Sequence, residues 1–239
     1  MKWAATEDER RNTKDAGRER IAPFEVRKEE EGGSPAVFLR DERMKIKRVC
    51  VFCGSSCGIR PAYKEAAQRL GKLLASRNIG LVYGGGCIGL MGAVADAVLA
   101  CGGEAIGVIP DSLMRREIGH RGLTKLHVVN SMHERKALMA DLADAFIALP
   151  GGYGTLEELL EAVTWSQLGI QQKPCGLLNV EKYWDGLLAV LDRAVDEGFV
   201  RKENAQLVLV AKNPETMLER LLEWTPPEHL ERWLDREKR

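Results

Sequence analysis

Short runs of Val, Ile and Leu alternate along the chain with longer amphipathic segments. Strands are predicted at KRVCVFCG (47–54), IGLVYGGG (79–86), EAIGVIP (104–110), KLHVVN (125–130), AFIALPGG (145–152), PCGLLNV (174–180) and near 207–210. Helices are predicted near 61–77, 87–101, 132–143, 155–168 and 182–197. Continuous apolar strands separated by helices indicate βαβ units, so we expect an α/β fold with a doubly wound parallel sheet.

Composition limits the domain organisation. With 239 residues, of which 45% are hydrophobic and 29% charged, the chain can bury one sizeable core. Residues 1–46 are rich in charge and contain EEEGGSP, which predicts a disordered extension. We therefore expect a single domain over 47–223, followed by a charged tail over 224–239.

The charges also exclude some partners. The 35 basic and 35 acidic residues balance, so we expect neither a nucleic acid nor a membrane surface as partner, and any phosphate must be bound locally. The sequence has no apolar stretch near 18 residues and no apolar N-terminal block. We expect a cytoplasmic protein, and the nucleus stays open as a second compartment.

The cysteines have an incomplete metal-ligand pattern. Cys50, Cys53 and Cys57 give C-x2-C-x3-C, but no second Cys or His pair follows nearby to complete a zinc site. The spacing falls on a buried strand that runs into a turn. We therefore expect reduced thiols and no metal.

Three glycine-rich loops follow predicted strands, at 53–58, 83–92 and 150–155. In a parallel sheet these loops gather at the carboxyl edge, where glycine and the amides of the following helix can hold a phosphate. Gly54, Ser55, Gly85 and Gly86 are candidate loop contacts.

The second loop offers a rival interpretation. It contains G-x-G-x-x-G, and Asp111 follows about 20 residues on, as in nicotinamide-binding proteins. That pattern stands after the second predicted strand instead of the first, so it is a weak indication.

Two helix starts carry candidate chemistry. Thr155 and Glu158 fit a capping box, although Glu158 could instead face the sugar or base of a ligand. Ser131 and Glu134 form another capping box, which leaves Arg135 and Lys136 near the positive end of the helix dipole. Two cations at that place favour a phosphate or carboxylate partner at least as much as the alternative, a solvated helix face.

These motifs resemble a known family. VFCGSSCG, LVYGGGCIGLMG, SMHERKALM, LPGGYGTLEELLEAVTWSQLG and KPCGLLNV are similar to those of the LONELY GUY cytokinin-activating phosphoribohydrolases, which are often labelled lysine decarboxylases. The resemblance covers about residues 47–223, and MHERK and PGGYGTLEE are its most specific parts.

The resemblance implies a Rossmann-like homodimer that hydrolyses the N-glycosidic bond of N6-modified adenosine 5′-monophosphates, giving a free cytokinin base and ribose 5-phosphate. It implies no metal or organic cofactor, and it makes Arg135 and Glu158 the catalytic pair. The substrate-binding residues that it implies are Glu117, Met132, Arg135, Lys136, Gly151, Gly152, Tyr153, Gly154, Thr155, Glu158 and Thr164.

Several alternatives stay open at this point. The chain could take plain AMP as well as N6-modified nucleotides, or it could be a non-catalytic nucleotide-binding or cofactor-carrier protein of the same fold. Either Glu117 or Glu161 could serve as a second acid or base. A pyridoxal phosphate decarboxylase would need a Schiff-base lysine, for which Lys136 is the one candidate in these loops.

Overall fold

A computed structural model of the chain describes residues 46–114 and 119–227. The strands are β1 (Arg48–Phe52), β2 (Gly80–Tyr83), β3 (Ala105–Pro110), β4 (Lys125–Val129), β5 (Ala145–Ala148), β6 (Cys175–Leu178) and β7 (Val208–Ala211). The helices are α1 (Pro61–Ser76), α2 (Gly89–Ala100), α3 (Asp111–Met114), α4 (Met132–Leu142), α5 (Tyr153–Gln167), α6 (Asp185–Asp196) and α7 (Pro214–Glu223). Short 3₁₀ turns span Val180–Lys182 and Lys202–Leu207.

All these strands join one parallel sheet in the order β4-β3-β2-β1-β5-β6-β7. Strand β1 lies at the centre, where Val49 pairs with Leu81 of β2 on one side and with Ala145 of β5 on the other. The chain winds outward in both directions from β1, so the strand order reverses between β1 and β5. Ligands of such sheets bind outside the carboxyl ends of the strands at this switch point.

Both faces of the sheet are covered, as the predicted doubly wound fold requires. Along β1, Val49 and Val51 belong to one buried cluster with residues of α1, α2 and α7, whereas Cys50 and Phe52 belong to another with residues of α4 and α5. This alternation follows from the two-residue period of a strand. Because neither face of β1 meets water, its sequence reads as a continuous apolar run.

The predicted strands and the five predicted long helices are confirmed, and most bounds agree within two or three residues. Helices α3 and α7 and the 3₁₀ turns were not predicted. Helix α7 does carry a start signal, since Asn213 accepts a hydrogen bond from the Thr216 amide at 2.9 Å and Pro214 follows it.

The predicted cap at Ser131 is confirmed, although the Glu134 carboxylate binds the amide before the cap residue, and the other predicted capping box is wrong. Ser131 caps α4, because its hydroxyl accepts the Glu134 N–H at 3.1 Å while the Glu134 carboxylate accepts the Asn130 N–H at 2.7 Å. In α5 the N-cap is Gly152, with no side-chain cap, so Thr155 is not a cap. The glycine-rich sequence lets the helix begin two residues earlier, and Thr155 packs inside its first turn.

The predicted extension over 1–46 and the tail over 224–239 fall almost wholly outside the described residues. At the two ends of the described range, Ile46 and Trp224 are buried against the domain. The domain limits at 47 and 223 stay predictions.

No helix among residues 46–114 and 119–227 combines the length and the apolar character that crossing a membrane requires.

Close contact between α1 and α2 gives a stability prediction. A Cβ at Gly71 would lie 2.5 Å from the Val94 carbonyl oxygen and 2.8 Å from the Ala97 Cβ, whereas a Cβ at Gly186 in α6 would meet nothing within 4 Å. We expect Gly71→Ala to lower the free energy of unfolding by about 1–3 kcal/mol through overpacking. The control Gly186→Ala should leave it unchanged or raise it by up to about 1 kcal/mol. Urea unfolding measures both, and equal effects would contradict this packing.

Candidate active site

Three glycine loops form the floor of the site at the carboxyl edge of β1, β2 and β5. The Gly54 N–H after β1 donates to the Pro150 carbonyl after β5 at 3.1 Å, and the Gly54 carbonyl accepts the Leu90 N–H at the start of α2 at 3.0 Å. A Cβ at Gly89 would lie 2.3 Å from the Ser55 carbonyl carbon. Glycine is therefore required where these loops cross, since any side chain would separate them.

The Arg135 side chain extends from α4 to the glycine loop after β2. This side chain is buried, and its Nη2 donates to the Gly84 carbonyl oxygen at 3.3 Å. A Cβ at Gly84 would lie only 2.1 Å from Nη2, so glycine is needed to admit the guanidinium. The Arg135 Nη1 donates a weak hydrogen bond to the Met132 sulfur at 3.9 Å, and its Nε has no partner among the described residues.

A buried cation with unused donors calls for an anionic partner. Buried polar groups in proteins are nearly always hydrogen-bonded, and unpaired buried charges are costly. The cap at Ser131 fixes where α4 begins and so fixes the position of Arg135 one turn later. The position therefore suits a ligand that carries negative charge.

Glu158 lies half-buried in the second turn of α5, within the field of Arg135. Burial raises the pKa of its carboxyl to about 7, the charge of Arg135 opposes that rise, and the Glu157 carboxylate adds to it. A carboxyl that titrates near neutral pH can accept or give a proton during a reaction. The structure thus brings together the two residues predicted as a catalytic pair.

Lys136 is held by two carboxylates. Its Nζ donates to Glu157 at 2.5 Å and to Glu161 at 2.9 Å, and these hydrogen bonds raise the pKa of the ammonium group. The lysine therefore stays protonated. Its predicted contact with a substrate is still a prediction.

The segment Gly151–Thr155 forms the entrance to α5. The first turn of a helix leaves its amide N–H groups without intrahelical partners, and no side chain caps this one. A Cβ at Gly152 or Gly154 would meet nothing within 4 Å, and the Tyr153 side chain is 93% exposed. Thr155 is instead buried, with its hydroxyl packed toward Gly151. The open amides and the positive end of the helix dipole suit an anion.

Two cavities lie near these groups. One is a narrow crevice of about 10 Å³ between α4 and α5, and it is lined by Glu158, Lys136, Glu161 and the rings of Phe52, Phe146 and Trp165. The other, of about 300 Å³, lies between the loops after β1 and β5, and its lining includes Ser55, Ser56, Gly151, Gly152, Tyr63 and Tyr183. The first combines apolar walls with charged groups, and the second combines apolar side chains with backbone and hydroxyl groups.

The remaining predicted residues are placed less centrally. Met132 is exposed beside Arg135. Gly85 and Gly86 are buried and bound to the segment at 119–120, because the Gly85 carbonyl accepts the His120 N–H at 3.0 Å and Gly86 forms a bridge with Gly119. Their contact with a ligand stays a prediction. The Gly54 N–H already donates a hydrogen bond to the Pro150 carbonyl, whereas Ser55 is exposed and lines the larger of the two cavities.

Two other predicted contacts are not brought to the glycine loops. Thr164 is exposed, two turns beyond Glu158, and its hydroxyl donates to the Leu160 carbonyl at 2.6 Å. Glu117 lies outside the described residues.

The sequence analysis missed Tyr183, which lies at this edge of the sheet. Its hydroxyl donates to the Gly151 carbonyl oxygen at 2.5 Å. The available signal was its place shortly after the sixth apolar run, where another loop reaches the carboxyl edge.

The three cysteines of the C-x2-C-x3-C pattern lie on β1 and in the loop that follows it. Cys50 is buried in β1, and burial raises the pKa of its thiol, while Cys53 and Cys57 are half-buried and all three are free. In the described part of the chain, no three His, Cys, Asp or Glu side chains are grouped so as to hold a metal ion.

Comparison with known proteins adds independent findings. The family model described as "Possible lysine decarboxylase" matches residues 91–221. A cytokinin riboside 5′-monophosphate phosphoribohydrolase of Arabidopsis thaliana is 54% identical over 182 residues, which are 76% of this chain and 85% of that protein. One of Oryza sativa subsp. japonica is 51% identical over 186 residues, 78% of this chain and 77% of that protein.

The fold also occurs in a solved structure with another role. The molybdenum cofactor binding protein of Rippkaea orientalis matches with a TM-score of 0.57 at 26% identity, over 74% of this chain and 95% of that one. The sequence matches are far stronger than this likeness, and they confirm the resemblance carried by the MHERK and PGGYGTLEE motifs. The chain belongs to the LONELY GUY family of cytokinin riboside 5′-monophosphate phosphoribohydrolases.

Proposed function

We propose that this protein hydrolyses the N-glycosidic bond of cytokinin riboside 5′-monophosphates, giving the free base and ribose 5-phosphate. The observation that carries the proposal is the buried Arg135 whose charge acts on the half-buried Glu158, which lies in the second turn of α5, a helix with no side-chain cap at its N-terminus. The names of relatives that are about half identical over most of their length support the same reaction.

The substrate phosphate fits the entrance of α5. The open amides of Gly152–Thr155 and the helix dipole bind a dianion without requiring a side-chain charge. The buried Arg135, whose Nε has no partner among the described residues, supplies a balancing positive charge. This accounts for an overall neutral chain that nevertheless selects a phosphorylated substrate.

Glu158 fits the reacting end of the substrate. Cleavage breaks the bond between the ribose C1′ and the purine nitrogen, and the bonding electrons leave with the base, so C1′ acquires oxocarbenium character. A carboxylate beside C1′ stabilises that charge and accepts the proton of the water whose oxygen bonds to C1′. The departing base takes up a proton on its ring.

The second acid or base stays open between the two predicted candidates. Glu161 accepts a hydrogen bond from the Lys136 ammonium at 2.9 Å, so its carboxylate is already engaged in an ion pair. Glu117 lies outside the described residues.

The lysine decarboxylase description has little chemical support at this site. A Schiff base forms from a neutral amine, whereas the two ion pairs of Lys136 raise its pKa and keep it charged. Among the lining residues of the two cavities, Lys136 is the one lysine.

A nucleotide-binding or cofactor-carrier protein is the second candidate, because the chain shares its fold with a molybdenum cofactor binding protein. A pure carrier has no use for a half-buried carboxyl titrating near pH 7 beside an anionic ligand. Preference for N6-modified over plain AMP is a separate proposal, for which the aromatic rings of Phe52, Phe146 and Trp165 beside Glu158 offer an apolar surface.

The direct test is product analysis by liquid chromatography after incubation with isopentenyladenosine monophosphate, its riboside and AMP in parallel. We expect free isopentenyladenine from the monophosphate only, because the riboside lacks the group that the α5 amides and Arg135 bind. Equal release of adenine from AMP would retain the reaction and reject the cytokinin preference. No release from any of the three would favour the carrier.

Replacing Glu158 with Gln tests its role. The change keeps the shape, removes the ionisable group, and should lower kcat by about 10²–10⁴-fold. Since Gly152 is the N-cap of α5, Glu158 has no capping role whose loss could mimic this effect. The control Glu65→Gln, on the exposed face of α1, should leave kcat unchanged. Near-normal turnover by the Glu158 variant at equal protein stability would reject the assignment.

We also propose a homodimer in which each chain completes its partner's site. Thr164 faces outward, so a substrate contact from it requires a second copy, and Leu160 nearby is an exposed apolar side chain. We expect Leu160→Lys to shift the protein to monomers in sedimentation velocity and to reduce turnover, because a charge would be buried at the interface. A variant that stays dimeric, or a wild-type monomer, would contradict this. The cytoplasmic location stays a prediction from sequence.

A further inference from the structure

The turn after β6 has an unusual backbone. Two successive residues other than glycine, Glu181 and Lys182, have left-handed φ angles of 51° and 60°. Such conformations are rare for residues with a side chain and persist only where the surrounding structure enforces them. These two residues directly precede Tyr183, so their backbone conformation sets the direction in which the Tyr183 side chain projects.

Several contacts hold this turn in place. The Asn179 side chain accepts the Trp184 N–H at 2.8 Å and donates to Asp185 at 2.8 Å, and the Trp184 ring is buried. On the outer side, Arg60 pairs with Glu181 at 3.3 Å and so links the turn to the loop after β1. The turn is thus fixed from both of its sides.

Tyr183 projects from this turn onto the glycine loop after β5. Its hydroxyl donates to the Gly151 carbonyl oxygen at 2.5 Å. Its ring packs edge-on against Tyr63 at 5.7 Å and against Trp184 at 4.8 Å between centroids, which restricts its motion. The ring also lines the cavity of about 300 Å³ beside Gly151 and Gly152.

The bond to Gly151 fixes the direction of the next amide. A trans peptide is planar, and its C=O and N–H point in opposite directions. With the Gly151 carbonyl held toward Tyr183, the Gly152 N–H must point away from it. Gly152 is the N-cap of α5, and neighbouring glycine offers little resistance to rotation of this peptide. An external hydrogen bond is therefore what keeps the amide in one direction.

We propose that Tyr183 is a positioning residue, whose hydroxyl holds the Gly151–Gly152 peptide so that the entrance of α5 is preorganised for the 5′-phosphate. The identity of the phosphate as that of the nucleotide substrate rests on the proposed function above. Tyr183 acts through the loop and does not itself take part in the reaction.

The test compares Tyr183→Phe with the unsubstituted residue in the Glu158→Gln background, where turnover does not disturb binding. Calorimetry should show AMP binding weakened about three- to tenfold, the usual size of one hydrogen bond, with adenosine binding unchanged. Hydrogen exchange of a peptide covering residues 149–156 should become faster. A matched control is Ser76→Ala, which removes an exposed hydroxyl that donates to the Leu73 carbonyl oxygen at 2.8 Å at the end of α1 and should leave AMP binding and the exchange of this peptide unchanged.

Unchanged AMP affinity and unchanged exchange in Tyr183→Phe would overturn the proposal. Equal weakening of AMP and adenosine would also overturn it, since that pattern indicates general loosening instead of phosphate positioning. If the protein without substitutions releases no base from any nucleotide, the proposed function fails, while the exchange comparison still decides whether Tyr183 holds the loop.

Discussion

The burial of the Arg135 guanidinium beneath the loop after β2 is the interaction on which the site depends. A charge in this position is tolerated because Gly84 has no side chain and offers its carbonyl oxygen at 3.3 Å. The Arg135 Nε has no partner among the described residues, which favours an anionic ligand. The same charge acts on Glu158 and limits how far burial can raise the pKa of its carboxyl. In the proposed reaction, one side chain therefore links anion binding to proton transfer.

The sheet explains why these groups meet at all. Strands β1, β2 and β5 are neighbours because the chain winds both ways from β1, so the loops at 53–58, 83–92 and 150–155 converge although they are far apart in sequence. Their glycines allow the loops to contact each other through backbone atoms, as in the bond between Gly54 and Pro150. The side chains that give the site its chemistry come from the two helices that follow, α4 and α5. Since a related fold serves a molybdenum cofactor binding protein, the fold alone does not separate an enzyme from a carrier, and our proposal of an enzyme rests on these side chains.

The sequence predicted the fold well because a strand buried on both faces leaves a continuous apolar run, as in VCVF of β1. It also predicted the Ser131 cap, since capping is a local interaction. It misplaced the start of α5, because a helix that begins at a glycine has no side-chain signal. Tyr183 and the ion pairs of Lys136 were missed because they join residues that only the folded chain brings together. The outward position of Thr164 likewise depends on how α5 packs.

The measurement that tests the central claim most directly is an NMR titration of the Glu158 carboxyl carbon in the intact protein. A pKa near 7, which falls back toward ordinary glutamate values on unfolding, is the predicted result because burial beside Arg135 sets it. A pKa near 4.5 in the folded protein would contradict the account, since Glu158 would then be an ordinary solvated carboxylate.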